Sequence, residues 1–246
     1  DLHYDMELDL EDVASGITKN IHLPRLERCD KCEGTGAEKK SDIETCEDCN
    51  GHGAVQQTQS IGFGTFTTTR ACGKCRGTGQ FIKNQCEKCD GDGRIEKSRT
   101  IEVKVPAGVS TGTTLRISGE GEAGERDSGQ GDLYITLHVK AHERFEREGN
   151  DLNVEVPVNF VTAAMGGELE VPTLKGKATL KIPAGTQSNT VFRMKDKGIA
   201  DLNTGHKGSE NVKVIVEVPK RLTKKQKVLL KDFAKIEKKS FIKKIF

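Results

Sequence analysis

The chain has 246 residues, of which 34% are hydrophobic, 31% charged and 4% aromatic, with 27 Gly, 8 Cys, no Trp and a formal net charge of +2. Even with Gly counted, the apolar content sits just below the roughly 45–50% usual for globular domains, which argues against one large core and for several small units held by more than hydrophobic burial. No apolar run is long enough for a membrane helix, and no basic start leads into an apolar stretch, so neither a transmembrane span nor a signal peptide is expected and the setting reads as cytoplasmic.

The chain opens on Asp1-Leu2-His3-Tyr4 without an initiating Met, as a fragment or processed chain does. Apolar residues alternate at Leu2, Tyr4, Met6, Leu8 and Leu10, the period of a strand with one buried face. The next stretch holds all eight cysteines, between Cys29 and Cys89, in four copies of C-x-x-C-x-G-x-G. These are Cys29/Cys32 with Gly34 and Gly36, Cys46/Cys49 with Gly51 and Gly53, Cys72/Cys75 with Gly77 and Gly79, and Cys86/Cys89 with Gly91 and Gly93. Two thiolates two residues apart reach one tetrahedral metal if the backbone turns tightly behind them. The glycines supply that turn, because they accept positive φ and let amides approach the sulfurs. Four half-sites make two four-cysteine sites, and zinc suits four thiolates best. A disulfide framework would need an oxidising compartment, and a redox dithiol would need one C-x-x-C on a βαβ unit. The gaps between motifs are 13, 22 and 10 residues. They match no common zinc-ribbon spacing and leave all three pairings of half-sites open.

Ile101, Val103 and Val105 resume the alternation, followed by a Gly-rich acidic stretch from Gly119 to Asp132 that reads as a mobile loop. Leu133 to Val139, Leu152 to Phe160 and Val212 to Val218 alternate again, which predicts small antiparallel sheets or sandwiches. The chain also repeats itself. Lys104–Gly121 aligns with Lys181–Gly198 at an offset of 77 with seven of 18 positions identical, and Asp1-Leu2, Ala14 and Gly16 answer Asp151-Leu152, Ala164 and Gly166. The first copy carries about 71 extra residues, which hold every cysteine.

The predicted fold is therefore mainly β, with two tandem related small β-sandwich-like domains, a Cys-rich double-zinc insert in the first, and a C-terminal helix. The boundaries are 1–26 plus 99–141 for the first β-domain, 27–98 for the insert, 142–220 for the second β-domain and 221–246 for the tail. Ten Lys/Arg against Asp232 and Glu237 give that tail a net +8, leaving −6 for the rest. Thr223 is placed to cap a helix whose Leu229, Leu230, Phe233 and Ile236 share a face. A basic stretch confined to one end, and few aromatics for stacking (Phe63, Phe66 and Phe81 in or beside the insert), speak against nucleic-acid binding through zinc knuckles.

Four C-x-x-C-x-G-x-G motifs inserted into the first of two related β-domains resemble the zinc-containing class of the DnaJ co-chaperone family. Gly131-Asp132-Leu133-Tyr134-Ile135, His142-Glu143-Arg144-Phe145 with Arg147, Gly149, Asp151 and Leu152, and Ala163-Ala164-Met165-Gly166-Gly167 carry the same resemblance. It spans essentially the whole chain. No His-Pro-Asp tripeptide occurs, so the J-domain and its Gly/Phe linker are missing, and stimulation of an ATPase is not expected.

The resemblance implies a co-chaperone fragment without catalysis of its own. Such a fragment binds unfolded polypeptides, prevents their aggregation and delivers them to a DnaK-type ATPase chaperone. It also implies a nested pairing, with Cys29, Cys32, Cys86 and Cys89 on one zinc and Cys46, Cys49, Cys72 and Cys75 on the other, two zinc ions per chain. Clients would add a strand to a groove on the first β-domain, at positions matching Leu2, Ile21, Leu23, Ile101 and Ile135. A homodimer would form through Leu229, Leu230 and Phe233. The competing enzyme reading, thiol–disulfide exchange by the C-x-x-C motifs, is opposed by metal occupancy of the thiolates.

Overall fold

The computed structural model describes residues 1–62, 64–125 and 128–245. It is mainly β and divides into two compact units. The first comprises Asp1–Leu8, Ile17–Val105 and Val109–Val139; the second comprises Asp9–Gly16, Pro106–Gly108 and Lys140–Phe246.

Among the described residues, the strands of the first unit are β1 (Leu2–Leu8), β2 (Ile17–Arg28), β3 (Ile43–Thr45), β4 (Ala54–Ile61), β5 (Gly64–Ala71), β6 (Gln80–Ile82), β7 (Arg94–Val105), β8 (Thr114–Ile117) and β9 (Leu133–Val139). A three-stranded sheet runs β1-β9-β8, and a long antiparallel ribbon pairs β2 with β7 from Ile17↔Val105 to Arg28↔Arg94. Alternation puts Met6, Leu8, Leu133, Ile135 and Leu137 of the sheet, and Ile21, Ile101, Val103 and Val105 of the ribbon, into the core. Each such side chain contributes about 1.5–3 kcal/mol when fully buried. The expectation of antiparallel sheets needs correction. β1 pairs with β9 in parallel, Leu2↔Leu133 through Leu8↔Val139. Two strands separated by the whole insert have no hairpin turn to fix their direction, so either direction is open to them and tertiary packing selects it.

The described arms of the Gly119–Asp132 stretch, residues 119–125 and 128–132, are tied down by hydrogen bonds. They bond to each other through Gly121 N–H to Gly131 O and Gly131 N–H to Glu122 O, both 2.9 Å. Ala123 N–H bonds Leu26 O of β2 at 2.8 Å, and the buried Arg25 holds Glu120 at 2.6 Å.

The second unit holds α1 (Leu10–Ser15), β10 (Phe145–Glu148), β11 (Asp151–Asn159), α2 (Phe160–Met165), β12 (Gly167–Thr173), β13 (Gly176–Ile182), β14 (Val191–Met194), β15 (Glu210–Glu217) and α3 (Lys224–Ile245). Its main sheet runs β10-β11-β15-β14, with β11 and β15 again parallel, and β12–β13 form a separate hairpin. Leu152, Val154, Val156, Val158, Val212 and Val214 line the core. Leu10 and Phe160, which extend the alternation of β1 and β11 in sequence, instead open helices α1 and α2. The Asn159 side chain accepts the N–H of Thr162 at 2.8 Å and ends the strand by capping the helix. Val218 falls one residue past β15 and is exposed. No helix among the described residues is long and apolar enough to cross a membrane.

Candidate metal centres

Beyond the end of the β2–β7 ribbon, paired strands alternate with paired cysteine turns. Cys29 N–H bonds Gly93 O and Cys86 N–H bonds Gly36 O, both at 2.9 Å, which joins the first motif to the fourth. The β3–β6 pair follows, Ile43↔Ile82 to Thr45↔Gln80. Cys46 N–H then bonds Gly79 O at 2.8 Å and Cys72 N–H bonds Gly53 O at 2.9 Å, joining the second motif to the third. The β4–β5 ribbon closes the series.

These backbone pairings bring the sulfurs of Cys29, Cys32, Cys86 and Cys89 together, and separately those of Cys46, Cys49, Cys72 and Cys75, all within 4.8 Å of one another in each set. Cys29–Cys86 and Cys46–Cys72 are 3.9 Å apart, Cys32–Cys89 and Cys49–Cys75 3.6 Å. A regular tetrahedron of sulfurs with bonds of about 2.3 Å to its centre has edges of about 3.8 Å, so both sets fit a zinc-sized ion. They do not fit disulfides, whose sulfurs lie about 2.05 Å apart. All eight cysteines are buried and free.

The local sequence explains the turn. Glu33, Asn50, Arg76 and Asp90, each following the second cysteine of its motif, adopt positive φ near 50°, and the first motif glycine continues the left-handed path. The chain thereby aims an amide back at the sulfur. The N–H groups of Gly36, Gly53, Gly79 and Gly93 donate to Cys32, Cys49, Cys75 and Cys89 Sγ at 3.2–3.3 Å. The last glycine of each motif is needed for a second reason, close approach. A Cβ on Gly79 would run into Gly51 O and one on Gly53 into Gly77 O; Gly93 stands likewise against Gly34 O and Gly36 against Gly91 O. The two turns of each cluster therefore interlock reciprocally.

Four buried sulfurs this close cannot all carry charge without a counter-ion. Burial raises the Cys32 thiol, but the Gly36 amide and the neighbouring Cys89 and Cys29 sulfurs outweigh it, bringing it down to about 7. Burial and its sulfur neighbours push Cys89 up to about 12. The second cluster divides the same way, with Cys75 lowered to about 6 and Cys49 raised to about 11. A divalent cation removes the conflict by stabilising every thiolate at once. At the rim, Lys31–Glu87, Lys88–Asp30 and Lys74–Asp48 cross from one motif to its partner. Exposed pairs of this kind contribute at most about 1 kcal/mol each.

A family model described as the DnaJ C-terminal domain matches residues 2–219. The chain belongs to that family. Among curated DnaJ-family relatives, Chaperone protein DnaJ of Ruthia magnifica is 51% identical over 234 residues, and Chaperone protein DnaJ of Vesicomyosocius okutanii 48% over 234 residues. Each alignment covers 95% of this chain and 63% of the relative, so the chain spans under two thirds of their length.

The remaining DnaJ-derived expectations fall on surfaces of different kinds. Ile21 and Ile101 are register partners across β2–β7 and are buried, whereas Leu23, opposite Arg99, is half-buried. Leu2 is half-buried on β1, and Ile135 on β9 is 0% exposed. Leu229, Leu230 and Phe233 stand 62%, 39% and 54% exposed on α3. That helix starts with a capping box, in which Thr223 Oγ1 accepts the Gln226 N–H at 3.3 Å and Gln226 Oε1 accepts the Thr223 N–H at 2.9 Å. An open cleft of about 1410 Å³ lies between α2, the end of β15 and the start of α3, and Leu230 lines it. Of the aromatics weighed for stacking, Phe66 and Phe81 are exposed, and Phe63 lies outside the described residues. Glu210, a fully buried acid, escaped the sequence reading altogether.

Proposed function

We propose that this chain is the polypeptide-binding portion of a DnaJ-type co-chaperone, with an insert held together by two structural zinc ions. The observation that carries the reading is the pair of closed four-sulfur clusters in a chain of this family. Zinc bound there supplies a cross-link between two turns and no reaction chemistry. With four protein ligands each site has no open position for a substrate or water. The surrounding residues do the rest, since the motif amides donate to the sulfurs and the interlocked glycines fix the spacing. Structural zinc binding is worth on the order of 10 kcal/mol of folding free energy, which offsets the small apolar core of the insert.

Client binding is proposed at the first unit, where an extended segment adds to the β2 region by backbone hydrogen bonds while apolar side chains give preference. Leu23 and Leu2 are the accessible members of the set, whereas Ile21, Ile101 and Ile135 are buried. Exposed apolar residues along α3 support a second copy of the chain as its cover, through Leu229, Leu230 and Phe233. Two client sites on one dimer then raise affinity for an extended polypeptide by effective concentration. Hand-over to a DnaK-type ATPase completes the proposal.

The test is a zinc count on purified protein combined with fluorescence anisotropy of a labelled unfolded peptide. Two zinc ions per chain and saturable peptide binding are expected. Leu23→Asp should weaken that binding at least about tenfold, the cost of placing a charge in an apolar contact, with zinc content and circular dichroism unchanged. Unaltered peptide affinity in Leu23→Asp would remove the groove from this surface.

A further inference from the structure

The two repeats match hydrogen bond for hydrogen bond where their parallel strands begin. Leu2 N–H bonds Asp132 O, and Leu152 N–H bonds Ser209 O, both at 2.9 Å. Gly121 N–H bonds Gly131 O, and Gly198 N–H bonds Gly208 O, both at 2.9 Å. The Asp1 carboxylate accepts the Asp132 N–H at 2.7 Å, as Asp151 accepts the Ser209 N–H at 2.6 Å. The Ala123↔Gln130 bridge answers Ala200↔Lys207. The residue next in line is Leu133 in the first repeat and Glu210 in the second.

Each is 0% exposed. Leu133 pairs with Leu2 and Ile117, while Glu210 pairs with Leu152 and Met194. A carboxyl group therefore occupies the site where the duplicate fold places a core leucine. Neither of its oxygens has a hydrogen-bond partner among the described residues.

Neighbouring charges are engaged elsewhere or too weak to hold it ionised. Asp151 on β11 accepts from Ser209 and pairs with Arg193 of β14 at 3.2 Å. Arg193 also donates to Ser209 Oγ at 2.9 Å. Arg147 on β10 donates to the Gly149 and Gly108 carbonyls at 2.8 and 3.1 Å. Lys197, between β14 and β15, favours the ionised form, but burial outweighs it and pushes the Glu210 carboxyl up to about 7.

We propose that Glu210 is a proton-dependent latch. Neutral, it stays in the core and the start of β15 remains paired with β11; ionised, it draws that strand end and the preceding turn open toward water. The sign follows from linkage. The native state holds a proton that the unfolded chain releases near its ordinary value of 4.5. Stability from the buried neutral form is thus fully present below about pH 4.5 and is lost as pH rises through about 7. The first unit has leucine at this place and carries no such dependence.

The test is amide hydrogen exchange by mass spectrometry on the full zinc-loaded chain from pH 5.5 to 8, corrected for intrinsic exchange. Peptides covering 150–154 and 198–212 should lose protection roughly tenfold per pH unit up to about pH 7 and then level off. Peptides covering 1–4 and 128–135 serve as the internal reference and should stay flat. Glu210→Leu should abolish the slope and raise protection. Glu210→Gln, of equal size and unable to titrate, should abolish the slope alone. A slope that persists in either variant, or a flat wild-type profile, overturns the proposal.

Discussion

Gly77 and Gly79 belong to the same cysteine motif and both have positive φ, at 94° and 74°, yet substitution by Ala should affect them very differently. A Cβ on Gly77 meets only Ala71 Cβ, at 3.9 Å, so Gly77→Ala pays for an unfavourable backbone conformation alone, about 1–2 kcal/mol. A Cβ on Gly79 overlaps Gly51 O, with Gly51 C at 2.9 Å. Carbon and carbonyl oxygen rest no closer than about 3.3 Å, so the Cys46–Cys49 turn must retreat by on the order of 1 Å. Metal–ligand distances tolerate only about 0.2 Å. Gly79→Ala should therefore lose at least about 100-fold in zinc affinity at the Cys46/Cys49/Cys72/Cys75 cluster, while Gly77→Ala keeps both ions. Chelator competition with a colorimetric zinc indicator separates the outcomes: wild type and Gly77→Ala release two equivalents late, and Gly79→Ala releases one early and one late. Wild-type release from Gly79→Ala would refute the claim that reciprocal glycine contacts set the cluster geometry.

Other consequences can be checked as directly. Replacing Cys46 and Cys72 by Ser should leave one zinc per chain by elemental analysis, because the β3–β6 pair separates the clusters; loss of both ions would mean the sites are interdependent. Ile135→Asp, at a fully buried position, should lower the unfolding free energy by about 3 kcal/mol or more in a denaturant titration, in contrast to Leu23→Asp, which should leave it within about 1 kcal/mol. A chain ending at Pro219 should sediment as a monomer while the full chain sediments as a dimer; equal sedimentation would remove α3 from the interface.

Local features were readable from the sequence because their causes are local. C-x-x-C-x-G-x-G demands a left-handed turn with amides facing the sulfurs, and all four copies adopt it. Alternation located β1, β7, β9, β11 and β15 because a half-buried strand has only one arrangement of faces. The same alternation ran one apolar position too far at Leu10 and Phe160, since a helix's first apolar residue continues the phase of the strand before it. Strand direction was invisible, because apolar periodicity is identical in parallel and antiparallel sheets. Glu210 was in principle detectable. Val212 and Val214 put position 210 in inward phase, and the 77-residue offset lays it on Leu133. A charged residue in that place runs against the pattern and is easily taken for a strand boundary.

The sequence by itself determined the β-rich repeated plan, the one segment that holds every cysteine and the identity of the eight side chains that gather into two four-sulfur clusters. The physical reason is that periodicity, glycine backbone freedom and thiolate chemistry act over a few residues. Which motifs close on each other was decided only in three dimensions, by reciprocal backbone bonds such as Cys29–Gly93 and Cys46–Gly79, whose partners lie far apart along the chain. Loop spacing is a weak guide to such closure, because its entropic cost grows only slowly with length. Tertiary structure also decided that Asp9–Gly16 and Pro106–Gly108, early in the chain, group with the second unit. It likewise determined that one core position of the second unit is filled by an acid. In each case the deciding energy is burial or pairing between residues far apart in sequence.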